Sequence, residues 1–103
     1  MPDPFQTALQ AFINGRTKQA ENICKAILKK QPAAHPVLHL LALAEKRRGK
    51  YQQAIKTLNK AIKLAPTTPN YWNNLGETFR EAGNPDKAID CYKKALGFRS
   101  DYA

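Results

Sequence analysis

Apolar side chains recur along this chain at intervals of three and four, and glycine and proline cut the runs at regular points. Trp72, Leu75, Gly76 and Phe79 stand at i, i+3, i+4 and i+7, which is one face of a helix. Thr68 can cap that helix, and Pro69 belongs in its first turn, where no intrahelical N–H bond is lost. Gly83 ends it, because a left-handed backbone costs glycine little. Asn84-Pro85-Asp86 then restarts the chain as cap, first-turn proline and an acid matched to the helix dipole. The helix that follows carries Ala88, Ile89, Tyr92, Ala95 and Leu96 on its inner face.

The same pattern occurs twice more. Pro36 opens a helix with Leu38, Leu41 and Ala42 on its stripe, Gly49 turns the chain, and Ala54, Ile55, Leu58, Ala61 and Ile62 line the next helix. Nearer the start, Ala8, Ala11 and Phe12 precede Gly15, and Ala20, Ile23, Cys24, Ile27 and Leu28 follow it. Gly15, Gly49 and Gly83 are spaced by 34 residues, as are Ala20, Ala54 and Ala88, while Pro32, Pro66 and then Ser100 punctuate the ends of the units. This divides the chain into residues 1–34, 35–68 and 69–102 of one domain. A fixed period of this length predicts stacked helix pairs that share a core, an all-α solenoid with no strand signal. Small alanines at 20, 54 and 88 let the two helices of a pair approach closely. Function is then expected on the surface of the stack.

Seventeen Lys and Arg against eight Asp and Glu give a formal net charge of +9, which favours acidic partners. No run of 18 apolar residues exists, and Met1-Pro2-Asp3-Pro4 lacks the basic-then-apolar pattern of a secretion signal, so we read the chain as soluble and cytoplasmic, with no membrane insertion. Cys24 and Cys91 lie two units apart. With helices about 8–10 Å from axis to axis, they are too distant for a disulfide and are expected as buried free thiols.

Trp72, Leu75, Gly76, Phe79, Ala88, Tyr92 and Ala95 together resemble the tetratricopeptide repeat. Leu38, Leu41, Ala42, Ala54, Leu58, Ala61 and Pro66 repeat the pattern, with Glu45 in the place of its aromatic residue. Ala8, Ala20 and Pro32 keep the pattern in the first unit, whereas Pro4, Thr7 and Ala11 replace its larger anchors. The resemblance implies three helix pairs in a right-handed superhelix that acts as a noncatalytic interaction scaffold. In such arrays Asp-Tyr-Ala commonly opens a further unit, so Asp101-Tyr102-Ala103 suggests the amino-terminal piece of a longer array. Its open end would leave Ile89, Tyr92, Leu96 or Phe98 partly exposed, and stacking or swapping of copies through the ends is the alternative role.

The resemblance also implies a concave face lined by the first helix of each unit. Projected onto this chain, that face holds Phe5, Leu9, Phe12 and Ile13, then His39, Leu43, Lys46 and Arg47, then Asn70, Asn73, Asn74, Glu77, Arg80 and Glu81. The candidates for contact are Phe12, His39, Leu43, Lys46, Arg47, Asn73, Asn74, Glu77 and Arg80. A protein or peptide with an apolar anchor beside acidic residues would match the first two zones. Two plainer readings stand beside this one: Phe5, Leu9 and Phe12 as an improvised cap, and Lys46-Arg47-Arg48 as a solvated helix end that complements its dipole. The carboxylate clamp of chaperone-binding members is absent, since its positions hold Phe5, Leu9, Leu40, Asn73 and Glu77. Leu38-His39-Leu40-Leu41, Tyr71-Trp72-Asn73-Asn74-Leu75-Gly76 and Asp101-Tyr102-Ala103 are similar to the repeats that precede glycosyltransferase or sulfotransferase domains in some bacterial proteins. Related O-linked N-acetylglucosamine transferases hold substrate backbones with asparagines, for which only Asn74 stands here, with Gln6 and Leu40 in the other units. That likeness makes a substrate-selecting arm of a downstream transferase a further alternative.

Little catalytic chemistry is implied. His35 and His39 are four apart but have no third metal ligand, Glu77 and Glu81 read as solvated beside Arg80, and Ser100 is the lone serine. No cofactor-binding motif is present. Lys25, Lys29, Lys56, Lys60, Lys63, Lys93 and Lys94 form a basic band on the second helices, yet few aromatic residues accompany it, which disfavours nucleic acid as the partner.

Overall fold

The computed structural model of the protein describes residues 3–99. They form six helices, α1 (Pro4–Ile13), α2 (Thr17–Lys30), α3 (His35–Arg47), α4 (Tyr51–Leu64), α5 (Pro69–Glu81) and α6 (Pro85–Gly97), with no strand among the described residues. α1–α2, α3–α4 and α5–α6 pack as hairpins, and α2 meets α3 and α4 meets α5 to join them into one stack. The expectations drawn from Ser100 and from Asp101-Tyr102-Ala103 lie outside the described residues. No helix of the described residues is long and apolar enough to cross a membrane.

One closure is used three times. Gly15, Gly49 and Gly83 have φ of 82°, 77° and 89°, the left-handed region that a Cβ makes costly. The turn lets the next N–H reach back five residues: Arg16 donates to the Ala11 carbonyl, Lys50 to that of Glu45 and Asn84 to that of Phe79, each at 2.8 Å. These bonds satisfy carbonyls that a helix end otherwise leaves open. Start signals are used less evenly. Asp3 Oδ1 accepts from the Phe5 N–H and Asn84 Oδ1 from that of Lys87, whereas Thr68 occupies the cap position with no side-chain bond. α3 begins at His35, one residue before the expected Pro36, which a proline in the first turn permits.

Two connected clusters form the core. Ala8, Cys24, Val37, Leu40 and Leu41 join α1, α2 and α3, while Leu38, Ala42, Ala54, Leu58, Ala61, Ile62, Tyr71, Leu75 and Cys91 join α3 to α6. Val37 and Leu40 extend the buried face of α3 beyond the stripe expected from periodicity, because α3 is covered by α2 on one side and α4 on the other. Leu40, projected onto a binding position, is therefore core. On α6 the expected partial exposure is found: Ile89 is 50%, Leu96 68% and Phe98 38% exposed, since no further helix covers α6 among the described residues. Both cysteines are buried and free, and burial pushes the Cys24 thiol up to about 11.

Candidate protein-binding groove

Three consecutive cations, Lys46 and Arg47 in the last turn of α3 and Arg48 at its C-cap, each find a different partner. Lys46 Nζ lies 2.8 Å from Glu77 Oε1 and 3.6 Å from Glu81 Oε2 on α5, with 16% of its side chain exposed. Arg47 turns to α1, where its Nη1 donates to the Phe12 carbonyl at 2.7 Å and its guanidinium carbon sits 3.6 Å from the centre of the Phe12 ring. Arg48 pairs with Glu21 of α2, a carboxylate that is 1% exposed, and Lys50 Nζ lies 3.6 Å from its other oxygen. A helix advances about 100° per residue, so three successive side chains necessarily point to three neighbours. Arg47, Arg48 and Glu81 stay exposed, as the solvated reading expects, whereas Lys46 is mostly covered and draws Glu77 and Glu81 together.

A second group lies nearer the start of the same helices. Asn74 Nδ2 is 2.6 Å from His39 Nε2, the imidazole packs on the Tyr71 ring with centroids 4.8 Å apart, and the Tyr71 hydroxyl is 2.8 Å from His35 Nδ1. Burial and then the charge of Lys46 hold His39 below the usual imidazole value of 6.5, so the ring stays neutral and can accept from the Asn74 amide. His35 and His39 are thus tied to Tyr71, and no group of three potential metal ligands occurs among the described residues.

Of the expected contact residues, the structure unites His39 with Asn74, Lys46 with Glu77, and Arg47 with Phe12. Leu43 is half-buried on α3 between these groups, and Asn73 and Arg80 are exposed on α5. Phe5, Leu9 and Phe12 pack against the first core cluster, as the cap reading expects, and leave Ile13 exposed. The result is a face of α1, α3 and α5 with apolar Phe12 and Leu43, a neutral polar patch at His39, Asn73 and Asn74, and two exposed guanidiniums, Arg47 on Phe12 and Arg80 beside Tyr92 and Glu81. Sequence reasoning missed Tyr71 and the buried pair Glu45–Thr57, bonded at 2.7 Å. Tyr71 was detectable, because it stands 34 residues after Val37, a register position that both helices bury.

The arrangement presents amides, charges and apolar side chains on one face. Comparison with known proteins agrees with a repeat fold. Human tetratricopeptide repeat protein 7A is 30% identical over 86 residues, which cover 84% of this chain and 10% of that protein. A solved O-GlcNAc transferase mutant of Thermobaculum terrenum superposes with a TM-score of 0.89 at 30% identity, over 96% of this chain and 19% of that one. MamA of Desulfovibrio magneticus RS-1, 19% identical, superposes with a TM-score of 0.91 over 95% of this chain and 55% of that one, a likeness of fold. The profile of the tetratricopeptide repeat matches residues 34–101. With six helices in three like hairpins and that match over most of its length, the chain belongs to the tetratricopeptide repeat family.

Proposed function

We propose that residues 1–103 form one noncatalytic domain of three units whose concave face binds a segment of another protein. Repeats of this family generally mediate protein–protein interaction, which supports the class of partner. The observation that carries the finer reading is the Arg47–Phe12 clasp beside half-buried Leu43: apolar side chains next to a guanidinium that is exposed and has donors to spare. Asn73, with Asn74 behind it, supplies amide groups of the kind that pair with a peptide backbone. Lys46 is already neutralised by Glu77 and Glu81, so preference for an acidic neighbour of the anchor rests on Arg47 and Arg80.

Peptides selected on the immobilised chain from a random library test this. Selected peptides should bind a convex-face control, Lys60→Glu, as well as the native chain, and lose about ten-fold or more in affinity on Arg47→Glu/Asn73→Ala, a difference near 1.4 kcal/mol. Equal binding to the groove variant, or loss on Lys60→Glu instead, would refute the assignment.

A second reading is favoured by one observation. Ile62 and Leu28 stand 34 and 68 residues before Leu96 in the same register; Ile62 is 8% exposed and Leu28 packs on both core clusters, whereas Leu96 is 68% exposed. An apolar face that is covered at each earlier hairpin and uncovered at the last supports self-association there. The likeness to a transferase five-fold longer is the precedent for an arm that selects substrates for an attached enzyme.

A further inference from the structure

Register position 4 of the 34-residue period holds Pro4, Leu38 and Trp72. In the second hairpin Leu38 is core. In the third, the Trp72 ring packs against the core, faces Phe98 at 6.2 Å and lies under the Lys94 ammonium at 5.5 Å, and its indole N–H donates to the Pro66 carbonyl at 2.8 Å. Lys94 and Phe98 correspond to Ala26 and Lys30 in the first hairpin. There the position-4 residue is a short proline, and an apolar hollow of about 400 Å³ opens between the start of α1 and α2, lined by Pro4, Ile23, Ala26, Ile27 and Lys30. Gln19 and Asn22 complete its rim. It is the register equivalent of the seat that Trp72 fills from within.

We propose that this hollow is a socket for one bulky side chain, an indole foremost, presented by a partner polypeptide. Its volume lies at the small end of ligand sites, about 300–1,000 Å³, which suits a single anchor. The walls are aliphatic and Lys30 lines them, so an ammonium is close enough to stack on an aromatic anchor, as that of Lys94 does on Trp72, and a π-face is favoured over an aliphatic anchor of equal size. Gln19 and Asn22 offer side-chain carbonyls to the indole N–H in the role that the Pro66 carbonyl has for Trp72. None of these residues belongs to the concave face, so the socket stands or falls apart from the groove.

The test is a titration of the full chain, ¹⁵N-labelled, with N-acetyl-tryptophanamide, followed by NMR. Saturable shifts at the amides of Ile23, Ala26 and Ile27 are expected, with a Kd on the order of millimolar for so small a probe. They should persist in Arg47→Glu and weaken about ten-fold or more in Ala26→Glu, which places a charge on an exposed wall residue. Pro4→Trp should fill the seat from within, raise the Tm and abolish probe binding. No saturable shift, equal affinity in Ala26→Glu, or shifts at these amides that grow with protein concentration in the absence of probe, which would mark a second copy as the occupant, would each overturn the proposal.

Discussion

At Gly76 the backbones of α5 and α6 approach so closely that a Cβ would fall 2.8 Å from Tyr92 Cε1 and 3.1 Å from the Ala88 carbonyl oxygen. The equivalent pairs are Ala42 with Leu58 and Ala8 with Cys24, each pair within one core cluster. As the second-helix residue shrinks from tyrosine, the first-helix residue gains a methyl, so volume is traded between the two positions. Gly76→Ala should lower stability by about 1–3 kcal/mol through overpacking, despite the roughly 1 kcal/mol by which alanine favours a helix over glycine. Tyr92→Leu in the same chain, which reproduces the Ala42–Leu58 pairing, should recover most of the loss in chemical denaturation. A net gain from Gly76→Ala alone would mean that the ring swings clear and the pairing is loose. His39 is a second residue whose environment sets its behaviour. Its depressed pKa makes the unfolded chain take up a proton first, so the stability it contributes is present above about pH 6.5 and declines as pH falls toward its folded value. His39→Gln should flatten that part of the pH–stability curve, and an unchanged slope would count against a neutral ring bonded to Asn74.

Between elements, the junction of the first two hairpins is the unusual one. Glu21 of α2 is buried against Arg48 and Lys50, and Glu45 of α3 against Thr57 of α4, where burial raises the Glu45 carboxyl and the Thr57 bond partly offsets it. Register partners of Glu21 are Ile55 and Ile89, and that of Glu45 is Phe79, so apolar residues serve the same positions elsewhere in the stack. A buried ion pair commonly adds little net stability over a well-packed apolar replacement, while loss of one partner alone is costly. Glu21→Ile should therefore be neutral or stabilising, and Arg48→Ala should cost about 3 kcal/mol by leaving a buried carboxylate with Lys50 alone. Urea denaturation of the two variants distinguishes this from a purely solvated pair, for which both changes would be small. The period of 34 predicted these helices and their turns and put Glu45 in the place of an aromatic anchor, but nothing in it pointed to the burial of Glu21. The burial of Glu21 follows from α2 meeting the α3–α4 turn, a contact between positions 27 residues apart.

Across the whole molecule the two ends differ. Where α3 and α5 bury Val37 and Tyr71, Leu41 and Leu75, or Ala44 and Thr78, α1 has exposed Asp3, Thr7 and Gln10. That face of α1 is polar, whereas α6 exposes Ile89 and Leu96. On the self-association reading, two copies that meet through their α6 faces form a closed pair, not an open head-to-tail stack. Sedimentation velocity should show a dimer that grows with protein concentration and with salt, which screens the net charge of +9, and Leu96→Glu should remove it. A monomer at all concentrations, or a continuous ladder of larger species, would contradict this reading. Helix positions, the three left-handed glycines, the close alanines and the free cysteines followed from residues three, four or 34 apart, because backbone dihedrals and helical faces are local properties. The partners of Lys46, Arg47 and Arg48, the burial of Leu40 and Glu21, and the hollow beside Pro4 were set only when separate helices met. A cation that looks solvated on its own helix takes whatever carboxylate, ring or carbonyl the neighbouring helix presents, and periodicity carries no information about that meeting.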